Sequence, residues 1–185
     1  MRIIAGKLKG KHFYPPKNIP ARPTTDIAKE GLFNILTNYI NFEDVDFLDL
    51  FAGTGNIGME MFSRGCNKVT SVDLSSISIK FIQEMSKMAN IPQHYIIKAD
   101  AIQFIKQARN KYDLIFAGPP YPLECIDDIP NLVFEHQLLK DNAWLILETS
   151  PRHNFSEHQN CFNLRKYGQT HFWFFKNIDT IPNEN

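Results

Sequence analysis

Five short apolar runs, at residues 46–51, 68–73, 94–98, 112–117 and 143–148, are separated by stretches long enough for a helix. Strands that alternate with helices cannot pair as tight hairpins. Each must cross over to lie beside a parallel neighbour, which selects an α/β fold with a largely parallel sheet covered on both faces. Helices are expected at residues 57–64, 75–88, 101–108 and 124–138. The rhythm then changes. Two further apolar runs, 161–167 and 170–175, are separated by Gly168-Gln169 and read as an antiparallel hairpin closing the sheet. Ahead of the sheet, Thr24-Thr25-Asp26 can cap a helix whose stripe is Ala28, Leu32, Ile35, Leu36 and Tyr39.

Length and composition set the scale. A chain of 185 residues with 43% apolar content can sustain one core without disulfide or metal staples. No linker or repeat divides it, so residues 1–185 are expected to be a single domain, with 1–25 as an extension and 26–185 as the core. The three cysteines, Cys66, Cys125 and Cys161, are odd in number and widely spaced, and the six histidines form no metal-binding pattern. No metal site is expected. The start of the chain, MRIIAGKLKGKHFYPP, fits neither a signal peptide nor a membrane span, so the expectation is a cytoplasmic protein, with a monomer as the default.

The formal net charge is zero, which alone argues against a nucleic-acid partner. Its distribution argues otherwise. Residues 1–30 carry seven basic side chains (Arg2, Lys7, Lys9, Lys11, Lys17, Arg22 and Lys29) against Asp26 and Glu30, a net of +5, and the rest of the chain carries −5. A basic segment precedes an acidic body.

Gly53-Thr54-Gly55-Asn56-Ile57-Gly58 is a G-x-G-x-x-G sequence between an expected strand and an expected helix, where glycines allow a sharp turn and a close ligand. Twenty residues after Gly53, Asp73 ends the second strand, placed to accept hydrogen bonds from ribose hydroxyls. Both features suit an adenosine-type ligand, and NAD and S-adenosylmethionine are the two alternatives. Asp49 favours the second. A carboxylate beside the turn, in Leu48-Asp49-Leu50-Phe51-Ala52, repels a pyrophosphate but attracts a sulfonium and an ammonium. Asp100, with the Ala101 amide beside it, can serve the adenine ring. The expected cofactor-binding set is therefore Asp49, Phe51, Gly53, Thr54, Gly55, Asp73, Asp100 and Ala101.

After the fourth strand comes Ala117-Gly118-Pro119-Pro120-Tyr121, at the sheet edge where open α/β folds place their chemistry. Two prolines hold the local carbonyls in place. The loop resembles the [DNS]-P-P-[YF] loop of amino-methyltransferases. Such loops accept the protons of an exocyclic amine, direct its lone pair to the methyl group and stack an aromatic ring on the base. Here Gly118 stands at the first position. The Gly118 and Pro119 carbonyls and the Tyr121 ring remain.

Further motifs occur in order along the chain: Arg2-Ile3-Ile4-Ala5-Gly6-Lys7, Arg22-Pro23-Thr24-Thr25-Asp26, Lys29-Glu30-Gly31-Leu32-Phe33-Asn34 and Tyr167-Gly168. Together with the glycine turn and the Pro-Pro-Tyr loop they resemble the RsmD family of bacterial 16S ribosomal RNA guanine-N2 methyltransferases. The resemblance implies a Rossmann-like, class I fold dependent on S-adenosylmethionine, with a seven-stranded, mostly parallel sheet and a small N-terminal extension. It also implies a partner, 16S rRNA or the assembling small ribosomal subunit. Arg2, Lys7, Lys9, Lys11, Arg22, Thr24 and Thr25 would contact this substrate, and Gly118, Pro119, Pro120 and Tyr121 would form the catalytic loop. Members of the family are expected to carry Asp where this chain has Gly118. Losing one such hydrogen-bonding group slows a preorganised site by about a hundred- to a thousandfold. Two alternatives follow: an inactive, cofactor- and RNA-binding assembly factor, or a DNA amino-methyltransferase that shares only the Pro-Pro-Tyr loop.

Overall fold

The computed structural model of the chain describes residues 1–19 and 24–177. Its strands are β1 (Asp46–Leu50), β2 (Lys68–Asp73), β3 (Gln93–Lys98), β4 (Tyr112–Ala117), β5 (Leu139–Thr149), β6 (Cys161–Tyr167) and β7 (Thr170–Lys176). They form one sheet in the order β3-β2-β1-β4-β5-β7-β6. The first five run parallel, and β7 inserts antiparallel between β5 and β6. The helices are α1 (Asp26–Leu36), α2 (Asn56–Ser63), α3 (Ser76–Ala89), α4 (Ala101–Gln107) and α5 (Ile129–Glu135).

Three expectations need correction. The helix expected over 124–138 begins only at Ile129, because Pro130 is tolerated in a first turn, where its missing N–H has no intrahelical acceptor; Ile126–Asp128 form a separate 3-10 turn. The fifth strand starts at Leu139 rather than 143, its first half disguised by polar Asp141 and Asn142, of which Asn142 has a left-handed φ of 60°. Helix α1 ends at Leu36, so Tyr39 lies outside its stripe, 69% exposed, with its ring 5.3 Å from that of Trp144. The cap of α1 is as expected: the Thr25 hydroxyl accepts from the Ala28 amide at 3.3 Å.

Alternation along the strands sends side chains to two cores, one on each face of the sheet. Phe47, Phe116, Ile146, Phe172 and Phe174 pack with α1, α2 and α3, whereas Leu48, Leu50, Ile115, Leu145, Leu147 and Phe175 pack with α4 and α5. The basic N-terminal segment belongs to the first core. Its Ile3, Leu8, Phe13 and Ile19 are buried there, and it folds back on itself through Ile3 N–H to Lys11 O and Gly10 N–H to Ile3 O.

What fixes this segment is Glu60 of α2, fully buried. Its carboxylate accepts the Ile4 amide at 2.8 Å, the Ala5 amide at 3.0 Å and the Arg64 Nε at 2.9 Å. The equally buried Lys29 ammonium lies 3.6 Å away and donates to the Arg2 carbonyl at 2.6 Å and to Asn56 Oδ1 at 2.7 Å. Burial pulls the Lys29 pKa below its usual value, opposed chiefly by the charge of Glu60. One turn further along α2, the Lys7 amide donates to the Ser63 carbonyl at 2.7 Å. Here the backbones are so close that a Cβ on Gly6, which has a φ of +78°, would sit 1.7 Å from the Ser63 carbonyl oxygen. On the opposite side of α1, Gly31 makes room for Tyr167: a Cβ there would lie 2.2 Å from the ring.

Removing one partner of a buried ion pair leaves the other uncompensated, at a cost of about 3–5 kcal/mol. Glu60→Ala is expected to lose about that much in urea unfolding, and to open residues 1–13 to trypsin at Lys7, Lys9 and Lys11 at protease levels that leave the native chain intact. Unchanged tryptic resistance would show that the apolar anchors hold the segment alone.

Candidate active site

Four adjacent strand ends, in the order β2-β1-β4-β5, bring their last residues to the carboxyl edge of the sheet. The crossovers change direction here, which opens a crevice between the loops. β1 ends at Leu50 because Phe51 takes a left-handed φ of 61°, turning the chain abruptly into Ala52 and Gly53. The Gly53 amide donates to Asp73 Oδ2 at 2.7 Å, while Asp73 Oδ1 accepts the Ser75 amide at 2.8 Å. Asp73 is thus held rigidly, half-buried, with its remaining lone pairs available to a ligand. Gly55 takes a φ of +69° as the residue capping α2, with Ile82 and Met85 of α3 packed behind it. Thr54 is buried in the same turn.

Asp49, on the sheet face shared with Phe47 and Phe116, is only 2% exposed. Its Oδ2 accepts the Gly58 amide at 3.3 Å. Burial is the main reason its pKa is pushed up to about 8; the Gly58 hydrogen bond opposes this, and the charges of Asp73 and Glu148 add to it. A buried carboxyl in the field of two others favours a cation. Asp100 is the exposed cap of α4, its Oδ1 accepting the Gln103 amide at 2.9 Å, and Ala101 is buried behind it.

Across the crevice, the Gly118 amide donates to the Leu50 carbonyl at 3.2 Å, tying the Pro-Pro-Tyr loop to β1. Pro119 is buried, Pro120 exposed and Tyr121 half-buried, with the Tyr121 hydroxyl 3.4 Å from the Gln169 carbonyl in the hairpin turn. The Arg152 guanidinium donates to the Tyr121 carbonyl. Facing this loop, the Thr24 hydroxyl donates to Glu148 Oε2 at 2.6 Å, and Asn56 Nδ2 reaches the Thr24 carbonyl at 3.4 Å. Glu148, which ends the run Leu145-Ile146-Leu147-Glu148, was not among the residues singled out from the sequence; the signal for it is an acid closing an apolar strand at the same edge as Asp49 and Asp73.

The basic residues separate into two groups. Arg2 pairs with Asp26 at 3.4 Å, and the Lys7 ammonium lies 3.5 Å from the centre of the Phe62 ring. Lys9 and Lys11 are exposed, whereas Arg22 lies outside the described residues. Thr25 is occupied with capping α1. An open depression of about 650 Å³ beside the hairpin, lined by residues including Cys161, His171 and Trp173, contains none of these site residues. Among the described residues no helix is long and apolar enough to cross a membrane.

The strand order, the antiparallel terminal hairpin and the glycine turn with its acids at the carboxyl edge define a class I methyltransferase fold. Among solved structures, a hypothetical protein of Thermus thermophilus superposes with a TM-score of 0.83 at 20% identity, covering 96% of this chain and 99% of that one. The Thermus thermophilus 16S rRNA N2 G1207 methyltransferase, solved with S-adenosylmethionine and guanosine, superposes at 0.68 with 18% identity, covering 84% of this chain and 44% of that one. A family model described as conserved hypothetical protein 95 matches residues 1–176, and the chain belongs to that family, the RsmD family. A ribosomal RNA small subunit methyltransferase D of Buchnera aphidicola from Acyrthosiphon pisum is 35% identical over 148 residues, 79% of this chain and 76% of that protein.

The raised pKa of Asp49 has a measurable consequence. A carboxyl that titrates near 3.8 in the unfolded chain and near 8 in the folded one binds its proton more tightly when folded. The ligand-free protein therefore loses stability from this group as pH rises from about 4 to about 8, and no further above that. Urea melts across this range should show a shallower decline for Asp49→Asn than for the native chain; parallel curves would contradict the burial of this carboxyl.

Proposed function

We propose that this chain transfers the methyl group of S-adenosylmethionine to the exocyclic N2 amine of a guanine in 16S ribosomal RNA. The observation that carries the reading is the meeting, at one sheet edge, of a buried acid suited to a cation, a ribose-binding acid on a glycine turn, and a proline-fixed loop with carbonyls and an aromatic ring. Membership of the RsmD family and the name of the Buchnera relative supply the substrate class.

The residues present fit the cofactor. Asp73 would accept the ribose hydroxyls, and Asp49 would face the cationic amino-acid end, where its buried carboxyl gains a counter-charge. Phe51, Gly53, Thr54 and Gly55 would line the cofactor along the turn, with Asp100 and the Ala101 amide at the adenine. When bound, S-adenosylmethionine supplies a methyl group activated by its sulfonium. The Gly118 and Pro119 carbonyls would accept amine protons, Pro120 would hold their geometry, and Tyr121 would stack on the extruded base, offsetting the few kcal/mol that flipping a base costs.

In this reading the chain is one catalytic domain, with residues 26–185 as the core and 1–25 as the extension that meets RNA. Lys9 and Lys11 would contact phosphates, joined by Arg2, Lys7 and Arg22, while Thr24 and Thr25 would border the base pocket. In the same reading the protein works in the cytoplasm on the assembling small subunit, as a monomer.

Incubation of small-subunit RNA or partly assembled subunits with methyl-labelled donor is expected to place label on N2-methylguanine after digestion to nucleosides. No label from either the native chain or Gly118→Asp would remove the assignment, and label on a DNA base would replace it. Lys9→Ala with Lys11→Ala should weaken RNA binding and reduce its salt slope by about 2. Donor affinity in that variant should stay within about twofold; equal loss of both affinities would make the segment purely structural.

A further inference from the structure

We propose that Tyr14, with His12 beside it, is a stacking platform for an unpaired base of the RNA that Lys9, Lys11 and Lys17 attract by charge. This rests on the ribosomal RNA reading above and deepens it: the N-terminal segment recognises unstacked nucleotides as well as phosphates.

Three observations converge on Tyr14. The first is exposure. Its side chain is 84% exposed, more than any other large hydrophobic residue among those described. Phe13 before it is buried in the core with α1, α2 and α3, so alternation along an extended chain sends His12 and Tyr14 to the opposite side. Their rings lie 6.4 Å apart, centre to centre, with planes 28° from parallel. The second is rigidity. The Phe13 amide donates to the Met1 carbonyl at 2.9 Å, the Met1 ammonium donates to the Phe13 carbonyl at 2.7 Å, and the Ile3 amide donates to the Lys11 carbonyl at 3.0 Å. Pro15 then biases the Tyr14 backbone towards an extended form. The third is charge. Residues 1–25 contain no acidic side chain. Arg2 and Lys29 are committed to Asp26 and Glu60, and Lys7 to the Phe62 ring, whereas Lys9, Lys11 and Lys17 stand exposed around the aromatic pair.

The segment's pairing ties this platform to the crevice. His12 faces Arg2 across an antiparallel bridge, and the Arg2 guanidinium lies 3.4 Å from the Asp26 carboxylate, two residues after Thr24. A base drawn out of RNA leaves its neighbours without a stacking partner, and flipping of this kind costs a few kcal/mol. An aromatic ring on the protein restores part of that loss for any base, because every base has a π-face.

Charge and stacking divide the work. The lysines attract phosphates whether the RNA is paired or not, so they cannot tell the two apart. Bases inside a duplex already stack on both faces and offer nothing to a ring, so Tyr14 adds affinity for unpaired RNA alone. Tyrosine suits the task because it presents a large flat area while only two side-chain torsions are fixed on binding. An exposed ring of this kind contributes little to the fold, so its removal tests binding without unfolding the chain.

The test separates stacking from charge. Binding of the native chain and of Tyr14→Ala is measured by fluorescence anisotropy on a labelled single-stranded RNA of about 12 nucleotides, and on the same strand in a duplex, across a salt series. Tyr14→Ala is expected to weaken single-strand binding about tenfold with the native salt slope, and duplex binding by less than about twofold. Tyr14→Trp should keep single-strand affinity within about threefold, and the emission of the new indole should be quenched by the single strand and not by the duplex. A thermal melt of Tyr14→Ala like that of the native chain shows that the variant is folded. Single-strand affinity of Tyr14→Ala within about twofold of native, or an equal loss on both RNAs, overturns the proposal. A loss confined to the single strand, in a chain that labels no 16S guanine, would keep the platform and refute the proposed substrate.

Discussion

Glu60 is the carboxylate on which the N-terminal third of the molecule depends. Buried on α2 directly behind the glycine turn, it accepts the Ile4 and Ala5 amides, binds Arg64 and faces the buried Lys29. An ion pair so far from water contributes little net stability compared with an apolar replacement, because desolvation consumes most of the Coulombic gain. What it contributes is uniqueness of position. Backbone amides at residues 4 and 5 can be satisfied by those two oxygens in one placement only, and Gly6 then lets the chain pass over Ser63 at a distance closed to any other residue. The segment is consequently a fixed wall of the molecule. Its charges project from that wall at Lys9 and Lys11, while Arg2 and Lys7 are partly consumed in holding it.

A second constraint acts at the carboxyl edge. Four acids, Asp49, Asp73, Asp100 and Glu148, stand within a few loops of one another in a chain of zero net charge. Two of them, Asp73 and Asp100, are held by backbone amides at turn and helix starts. Asp49 has a single long amide bond and heavy burial, and is driven towards its neutral form. The crevice thereby runs from carboxyl groups fixed by backbone amides at its rim to a buried carboxyl at its floor that a positive charge would draw towards ionisation.

Much of this was legible in the residues before any coordinates. Strands β2, β4 and β6 fall on the expected boundaries, since short β-rich runs between Gly, Asn and Asp are the clearest local signal. The parallel sheet with its terminal hairpin followed from the same rhythm. What local pattern could not supply was tertiary partnership. The Arg-Ile-Ile-x-Gly start reads as a basic arm, yet its backbone rather than its charge makes the specific contacts. Lys29 reads as one more surface cation, and nothing in its neighbours reveals that it lies fully buried beside a glutamate 31 positions away. Pro130 and Asn142 shifted element boundaries because a proline in a first turn and a left-handed residue within a long strand leave weak traces in composition. Glu148 escaped notice because its recorded hydrogen-bond donor, Thr24, lies 124 positions away, which no window along the chain contains.

The contact between Thr24 and Glu148 joins residues 124 positions apart, and the Tyr167 ring fits against Gly31 across a still longer span. Sequence separation on this scale carries a kinetic meaning. Closing a loop of such length costs more chain entropy than closing one of the local crossovers of the parallel sheet. During synthesis the glycine turn, β1 and β2 emerge well before β5 and the hairpin, so the side of the crevice that holds Asp49 and Asp73 is made while Glu148 and the hairpin that close its other side are still missing. A truncated chain would be a half-open mould rather than a weaker enzyme.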